Sequence, residues 1–451
     1  MELNNKKVLV LGISKSGIAA ARVSLKLGAD VYITEKGKIK PEFIDTVEEL
    51  RSLGIKIESE GHSENFINNA DLVITSPGIP PHSEILTKLR NAGVEIISEI
   101  ELAWRVVREG KGNFAVITGT NGKTTTTALT AHIVQSQFKA EACGNIGLPP
   151  CDLLEKGLDW YILEASSFQL ETSTTFTPKI AIFTNFTPDH IDWHNGLENY
   201  FKAKAKIFEG TQGADYAVLN AKDSKLVELA QHCTGKVFFF DGENGENCSF
   251  IRNGKIIYKE NGAEEEIIAL NDCPLIGQHN YQNIMCAIIA SKLIGVTKEN
   301  INAQIISFKA PEHRLEWCGK LGKTVFYNDS KATNPEASIV AINSFNNTDV
   351  VLIAGGRDKN TDLTEFCDSI NKHIKTVILI GEAAQRFETN LRDNGFNNII
   401  NEETFTGAID RAIRLNPDVV LLSPACASFD MFRSYEERGK VFKDYVGQYL
   451  R

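Results

Sequence analysis

An α/β fold in three successive domains, bounded at 1–111, 112–309 and 310–451, is what this 451-residue sequence predicts. Three observations carry it. Short apolar strands alternate with helix-like segments along the whole chain. Polar, often Gly-rich clusters follow the strands. The length suits about three domains of ~150 residues each. Near-continuous apolar strands alternating with helices mean parallel sheets covered on both faces. In such sheets ligands sit beyond the carboxyl ends of the strands.

The first domain opens with a strand at Lys7–Leu11, a turn from Gly12 to Gly17 and an Ala-rich helix to Leu27. A second strand, Asp30–Thr34, ends at Glu35, where a carboxylate is placed to hold ribose hydroxyls. The turn lacks the full GxGxxG spacing, so a structural turn stays open beside a nucleotide site. A third strand, Asp71–Thr75, runs into the rigid loop Ser76-Pro77-Gly78-Ile79-Pro80-Pro81, and the polar linker Glu109-Gly110-Lys111-Gly112 closes the domain.

The second domain begins with the strand Phe114–Ile117, the loop Gly119-Thr120-Asn121-Gly122-Lys123-Thr124-Thr125 and a helix over Thr126–Val134. Strand, glycine loop and helix N-terminus in that order form a phosphate cradle, with backbone N–H groups and the helix dipole facing an anion. Lys123 is the lysine for the β- and γ-phosphates and Thr124 the hydroxyl for a magnesium ion. Position 117 is Ile where a full-length phosphate loop carries its first glycine, so this loop is a shortened form. Strands at Trp160–Leu163 and Lys179–Phe183 end in Glu164-Ala165-Ser166-Ser167 and Thr184-Asn185. Glu164 is placed either as a magnesium ligand or as a cap for the serine turn. In Asp189-His190-Ile191-Asp192-Trp193-His194 the two histidines stand four apart, as on one helix face. A hard-ion site with one histidine and carboxylates suits a triphosphate loop better than a zinc site lacking HExxH, and a solvated turn after Pro188 is the plainer alternative. Lys202 and Lys206 share a helix face, whereas Lys204 is rotated about 200° from both and falls among Tyr200, Phe201, Ile207 and Phe208. A lysine turned to the core loses its charge readily, and a neutral amine can take up carbon dioxide as a magnesium-binding carbamate; a snorkelling lysine is the alternative. Asp241–Asn253 reads as a hairpin or surface loop, Gly277-Gln278-His279-Asn280 precedes an apolar helix over Ile284–Ile294, and Phe308-Lys309-Ala310-Pro311 is a link.

The third domain has strands at Thr324–Asn328, Val350–Ala354, Thr376–Ile380 and Val419–Leu422. Asp329-Ser330-Lys331, Gly355-Gly356-Arg357-Asp358-Lys359 and Ser423-Pro424-Ala425-Cys426-Ala427-Ser428 follow three of them. With His313-Arg314 upstream, these supply Arg for a phosphate, Asp for a ribose and Lys for an anion, or else surface ion pairs.

Composition excludes other classes. A formal net charge of −10 argues against a nucleic-acid partner. Nine scattered cysteines with no CxxC pair suit reduced thiols and offer no zinc site. The polar N-terminus is no signal peptide, and no apolar run approaches the ~18 residues of a membrane span. The expected compartment is the cytoplasm.

Gly-Thr-Asn-Gly-Lys-Thr at 119–124 resembles the shortened phosphate loop of the Mur ligases and folylpolyglutamate synthetases. The remainder is similar to Mur ligases from end to end: Asn145 in Gly144-Asn145-Ile146-Gly147, Glu164 in Glu-Ala-Ser-Ser-Phe-Gln-Leu-Glu, and His190 in Asp-His. The stretches Asp-Ser-Lys-Ala-Thr-Asn at 329–334 and Ser-Pro-Ala-Cys-Ala-Ser at 423–428 are similar to the member that adds D-glutamate. The resemblance implies a Rossmann-like N-terminal domain for a UDP-sugar, a P-loop ATPase-like central domain and a Rossmann-like C-terminal domain for D-glutamate. It implies ATP-dependent addition of D-glutamate to UDP-N-acetylmuramoyl-L-alanine through an acyl phosphate, in peptidoglycan synthesis, by a monomer. Gly119, Thr120, Asn121, Gly122, Lys123, Thr124 and Thr125 would bind ATP phosphates, with Asn283, Arg314 and Asp329 at the adenosine or phosphates. Two magnesium ions are implied, one on Thr124 and Glu164, the other on His190 and a carbamylated Lys204. Ser14, Lys15, Ser16, Glu35, Lys36, Ser76 and Gly78 would line the uridine nucleotide pocket, with Asn145 and His190 reaching the same substrate. Lys331, Thr333, Lys359, Ser428 and Phe429 would surround D-glutamate.

Overall fold

The computed structural model describes residues 1–110, 112–209, 213–275, 277–309, 312–345 and 348–450. Lys111, Ala310 and Pro311, which the sequence sets at the domain borders, lie outside the described residues. The chain forms two compact units, one of Met1–Pro274 with Gln282–Phe308 and one of Leu275–Tyr281 with Lys309–Arg451. Among the described residues three sheets run through them.

The first unit holds two sheets. The first is built from β1 (Lys7–Leu11), β2 (Asp30–Thr34), β3 (Lys56–Glu58), β4 (Leu72–Thr75) and β5 (Glu95–Ser98), in the order β3-β2-β1-β4-β5 and parallel throughout. Ser14 starts the helix Lys15–Lys26 after β1 by accepting a hydrogen bond from the Gly17 N–H, a cap at the position the turn chemistry favours. The second sheet comprises β6 (Asn113–Thr118), β7 (Ala140–Gly144), β8 (Trp160–Glu164), β9 (Ile180–Phe183), β10 (Tyr216–Asn220), β11 (Lys236–Phe240), β12 (Cys248–Arg252), β13 (Lys255–Glu260) and β14 (Ala263–Ala269). Their order is β14-β13-β12-β11-β10-β9-β6-β8-β7. The helix after the phosphate loop spans Lys123–Val134, three residues longer at its start than the pattern suggests, and the apolar helix spans Gln278–Ile294.

The expectation of wholly parallel sheets fails at the edge of this second sheet. β12, β13 and β14 pair antiparallel through the two-residue turns Asn253-Gly254 and Asn261-Gly262, all four residues having positive φ. Asn-Gly at that spacing is the strongest short hairpin signal, since both residues accept left-handed backbone. The stretch Asp241–Asn253 is therefore the first arm of a charged ribbon. Cross-strand pairs such as Arg252–Glu264 (2.8 Å) and Lys255–Glu266 (2.6 Å) polarise its outer face and discourage edge-to-edge association.

The two sheets share one hydrophobic core, in which Val10, Ile74 and Ile97 of the first belong to the same cluster as Phe114, Leu163 and Phe183 of the second. Glu101, fully buried in the helix Glu99–Val107 after β5, ties that helix to the segment before β9: it accepts from Arg105 Nε (3.0 Å), Thr175 N (3.0 Å) and Thr175 Oγ1 (2.7 Å). A buried carboxylate is tolerated there because its lone pairs are filled.

The second unit carries one sheet, made of β15 (Glu316–Leu321), β16 (Thr324–Asn328), β17 (Val350–Gly355), β18 (Thr376–Ile380), β19 (Ile399–Asn401) and β20 (Val419–Leu422). The order is β15-β16-β20-β17-β18-β19, with β15–β16 antiparallel and the rest parallel, and apolar cores on both faces. Because β20 inserts between β16 and β17, the polar clusters after these three strands lie side by side although far apart in sequence. Among the described residues no helix is long and apolar enough to cross a membrane, and all nine cysteines are free thiols.

Gly355, at the end of β17, has φ +113, and a Cβ there would stand 2.0 Å from the Ile380 carbonyl oxygen. Gly355→Ala is expected to destabilise the second unit by about 2–4 kcal/mol, read as a lowered denaturation midpoint. An unchanged midpoint would show that β17 and β18 can part at no cost.

Candidate active site

The Gly119–Thr125 loop is held by contacts within the protein. Gly119 has φ +142, and a Cβ would meet Thr184 Oγ1 at 2.0 Å, so only glycine lets the loop close on β9. Thr120 N donates to the Asn185 carbonyl (2.9 Å), Asn121 N to Asn185 Oδ1 (2.9 Å), and Thr184 Oγ1 to the Asn121 carbonyl (2.6 Å). The cluster Thr184-Asn185 thus braces the loop from the neighbouring strand. Thr124 and Thr125 enter the first helical turn, and Thr126 Oγ1 donates to Asn283 Oδ1 at 3.1 Å, which ties Asn283 to the same turn.

Two lysines converge on one carbonyl. Lys123 Nζ donates to the carbonyls of Gly119 (2.9 Å) and Thr120 (2.8 Å), and Lys204 Nζ donates to Gly119 as well, at 2.7 Å. Lys204 is 1% exposed and lies 4.8 Å from the centre of the Tyr200 ring. Burial, and then the charge of Lys123, hold its ammonium well below the ordinary lysine range. The core-facing direction read from helical geometry is therefore correct. Lys206, on the face shared with Lys202, is half-buried and donates to the carbonyls of Glu171 (2.7 Å) and Ser173 (3.2 Å).

Glu164 ends β8 in register with Ile117 of β6, which sets it beside the loop. It is 1% exposed; Oε1 accepts from Asn145 Nδ2 at 2.8 Å, while Oε2 is buried with no hydrogen-bond partner. A helix-cap role is ruled out, because Ser166 caps the Ser167–Glu171 helix through its own hydroxyl and a reciprocal bond with Gln169. An unfilled, buried carboxylate oxygen is costly unless a cation meets it.

The two histidines of the Asp-His cluster part company. His190 sits in left-handed backbone (φ 50) before a four-residue helix, half exposed, with Nε2 3.3 Å from Asp189 Oδ2. Burial first, and the charges of Lys204 and Lys123 against that of Asp189, lower its pKa and favour the neutral ring. His194 is buried, shares a 2.9 Å hydrogen bond with Ser167 Oγ and stacks on Phe168, so the two do not form a common metal-binding face. Among the described residues no three His, Cys, Asp or Glu side chains gather as a metal cluster. Thr124, Glu164 and a neutral His190 are nonetheless hard or intermediate donors of the kind a magnesium ion takes when phosphates and water complete its shell.

A cavity of about 1010 Å³ opens at the carboxyl edge of the first sheet, and Ser14, Lys15, Ser16, Glu35, Lys36, Ser76, Gly78 and Asn145 all line it; His190 is not among its lining residues. Glu35 does something the sequence does not reveal. Its oxygens accept from Ile13 N and Gly37 N, both at 2.9 Å, so it shapes the loop that walls the cavity. Ser14 and Ser76 share a 2.9 Å hydrogen bond across the same rim. Asn145 faces this cavity while donating to Glu164, so one amide joins the cavity to the phosphate-loop side. Glu99 and Gln169 also line the cavity and carry no sequence signal. Glu99 is buried, and desolvation pushes its pKa up to about 7.

In the second unit Asp329 is buried, accepts from Ser423 Oγ (2.7 Å) and Leu315 N (3.2 Å), and has its pKa pushed up to about 7 by desolvation. Arg314 lies between two left-handed residues, His313 (φ 67) and Leu315 (φ 44), a local strain of the kind that marks a constrained site. Lys331 lies over the Tyr435 ring with Nζ 5.3 Å from its centre, and Lys359 Nζ donates to the Thr333 carbonyl at 3.1 Å. Ser428 is buried and Phe429 is 68% exposed. What holds these loops together is Arg438, on the C-terminal helix and 1% exposed. Its guanidinium donates to Ser330 Oγ (2.9 Å), the Ser330 carbonyl (2.8 Å) and the Cys426 carbonyl (3.0 Å). Nothing in the sequence distinguishes it from its charged neighbours; only the fold places it between two loops nearly a hundred residues apart. Asn283 belongs to the first unit, and Arg314 and Asp329 to the second.

Known proteins match this chain along its length. Family profiles match at residues 6–98 (Mur ligase MurD-like, N-terminal domain), 117–291 (Mur ligase middle domain) and 313–426 (Mur ligase, glutamate ligase domain). The UDP-N-acetylmuramoylalanine–D-glutamate ligase of Acidobacterium capsulatum is 40% identical over 458 residues, covering 99% of this chain and 97% of its own. The enzyme of that name from Caldicellulosiruptor bescii is 38% identical over 457 residues, covering 100% and 99%. The solved UDP-N-acetylmuramate-alanine ligase of Thermotoga maritima shares the fold, with a TM-score of 0.58 at 21% identity over 98% of this chain and 99% of its own.

Burial, with the charges of Lys204 and His190, lowers the His194 pKa from 6.5 to about 4. Between those values the unfolded chain binds a proton that the folded chain does not. Stability conferred by the neutral ring is thus present above pH 6.5 and lost as pH falls toward 4. His194→Gln is expected to flatten the fall of the melting temperature over that window; curves that stay parallel to wild type would refute it.

Proposed function

The chain belongs to the Mur ligase family, and from that premise we propose that it joins D-glutamate to UDP-N-acetylmuramoyl-L-alanine with cleavage of ATP to ADP and phosphate, in peptidoglycan precursor synthesis, as a cytoplasmic monomer with domains 1–111, 112–309 and 310–451. The observation that carries the reading is the side-chain cluster at the carboxyl ends of β6 and β8. There Lys123 and a buried, charge-depleted Lys204 meet at the Gly119 carbonyl, close enough to Glu164 and its unpartnered oxygen for Lys204 to sense that carboxylate.

In this reading Gly119–Thr125 hold the phosphates of ATP, and Asn283, Arg314 and Asp329 hold its adenosine or its phosphates. Ser14, Lys15, Ser16, Glu35, Lys36, Ser76 and Gly78 hold the uridine nucleotide, Asn145 reaches the sugar or lactyl-alanine end, and His190 reaches the same substrate. Lys331, Thr333, Lys359, Ser428 and Phe429 hold D-glutamate. Thr124 and Glu164 would hold one magnesium ion, and His190 with a carbamate on Lys204 a second; bound there, the ions would screen the charge of the triphosphate. The carbamate forms when the neutral Lys204 amine bonds to the carbon of carbon dioxide and releases a proton, which turns a buried base into a buried anion.

The alanyl carboxylate attacks the γ-phosphorus and ADP departs, leaving an acyl phosphate. The D-glutamate amine, once deprotonated, then attacks that carbonyl and phosphate leaves. Most of the rate enhancement is alignment and charge neutralisation, because two polyanions and a dicarboxylate must meet. Lys123 and Lys331 supply fixed positive charge, and the braced loop keeps the phosphates in place.

Phosphate release that requires both UDP-N-acetylmuramoyl-L-alanine and D-glutamate is the expected result; release with either alone would reject the ligase. Lys204→Ala is expected to abolish turnover, with formate or acetate restoring part of it. Protein equilibrated with ¹³C-labelled carbon dioxide should give a carbamate carbon resonance absent from that variant. Full activity of Lys204→Ala without added carboxylate, or the same resonance in both proteins, would discard the carbamate. Lys331→Ala should depress ligation more than ATP binding, and an unchanged ligation rate would reject its anion role.

A further inference from the structure

Lys359 is an exposed lysine on a surface loop, and a side chain in that setting ordinarily samples many rotamers. Here both sides of it are tied down. Arg357 N donates to the Ala427 carbonyl at 2.9 Å, which anchors the loop to the Ser-Pro-Ala-Cys-Ala-Ser segment. Asp358, the next residue, meets Arg386 side-on: Arg386 Nε lies 2.7 Å from Oδ2 and Nη2 lies 2.8 Å from Oδ1. The third arm of the same guanidinium, Nη1, donates to the Thr361 carbonyl at 3.1 Å, beyond Lys359. Asn360 N closes the turn onto Asp358 Oδ1 at 2.9 Å. One arginine from the helix Ala384–Asp393 therefore grips the loop before and after Lys359. The Lys359 ammonium comes to rest on the Thr333 carbonyl, two residues from Lys331. The pair is less than one-third exposed on either side, and the bidentate fork fixes direction as well as distance.

We propose that the Arg386–Asp358 pair is a positioning device for Lys359 that sets the affinity of the second unit for its dicarboxylate amino-acid substrate. The inference rests on the reading of Lys359 as a ligand of that substrate. It has two physical parts. The fork holds the ammonium over Thr333, and Arg386 cancels the charge of Asp358, which sits one residue from the ammonium and would otherwise repel a substrate carrying two carboxylates.

The test uses steady-state kinetics of the full chain, varying D-glutamate, ATP and UDP-N-acetylmuramoyl-L-alanine in turn. Arg386→Gln is expected to raise the KM for D-glutamate about tenfold, as a displaced binding group would. The other two KM values and kcat should stay within about twofold of wild type. Arg386→Lys should recover part of the loss, since it restores the charge without the fork. The double variant Arg386→Gln with Asp358→Asn should fall between Arg386→Gln and wild type, because the uncancelled carboxylate is gone. An unchanged KM for D-glutamate in Arg386→Gln, or a parallel rise in all three KM values, would overturn the proposal. Should Arg386→Gln fail to fold, Arg386→Lys carries the same comparison, with the same two outcomes against it. Wild-type protein that releases no phosphate in response to D-glutamate would instead remove the functional reading beneath the inference.

Discussion

The Gly119 carbonyl is the point on which the first unit turns. It accepts from Lys123 and from Lys204 at once, and two ammonium groups on one oxygen repel each other. Lys204, the deeper of the two, gives way, because desolvation and the Lys123 charge act in the same direction. The rest of the pocket follows from that arrangement. Glu164 brings a negative charge within electrostatic reach, but half of its carboxylate stays unsatisfied, and burial, followed by the same lysines, presses His190 toward its neutral form. A site with a suppressed lysine, an unfilled carboxylate oxygen and a neutral imidazole is short of positive charge in its own structure and suited to receive it together with a polyphosphate.

The second unit solves a different problem. Its three polar loops leave neighbouring strands, but parallel strands fix only where loops begin. Arg438 fixes where they go, by spending its donors on carbonyls and a hydroxyl of two of them. A buried arginine without a carboxylate partner depends on such a set of oxygens, and burial lowers its pKa to about 10. Arg386 does for the third loop what Arg438 does for the other two. Both are guanidiniums, whose rigid planar fork can satisfy several fixed acceptors at once, as a lysine cannot.

The strands, the glycine loop and the polar clusters at strand ends were legible in the chain because their physics is local. Apolar runs, glycine at a forced positive φ and a helix N-terminus are set by neighbours within a few residues. The direction of Lys204 was legible for the same reason, since helical rotation settles it. The antiparallel ribbon β12–β14 carried equally local Asn-Gly signals, yet its charged faces hid the alternation that marks a strand. The spacing of His190 and His194 suggests a shared face only where a helix is long enough to have one, and here the helix has four residues, in keeping with a reading that used one histidine.

The sequence by itself determined which chemistry is present: a shortened phosphate loop, a core-facing lysine, a strand-ending glutamate, and acid–lysine and serine–cysteine clusters after later strands. Only the tertiary structure decided how these meet. The insertion of β20 between β16 and β17, the register that brings Glu164 to the loop, the cavity joined to that glutamate through Asn145, and the two arginines that hold distant loops all depend on contacts between residues far apart along the chain. Such contacts are set by global packing and by which buried donors find which acceptors, and no pattern of neighbouring residues encodes that.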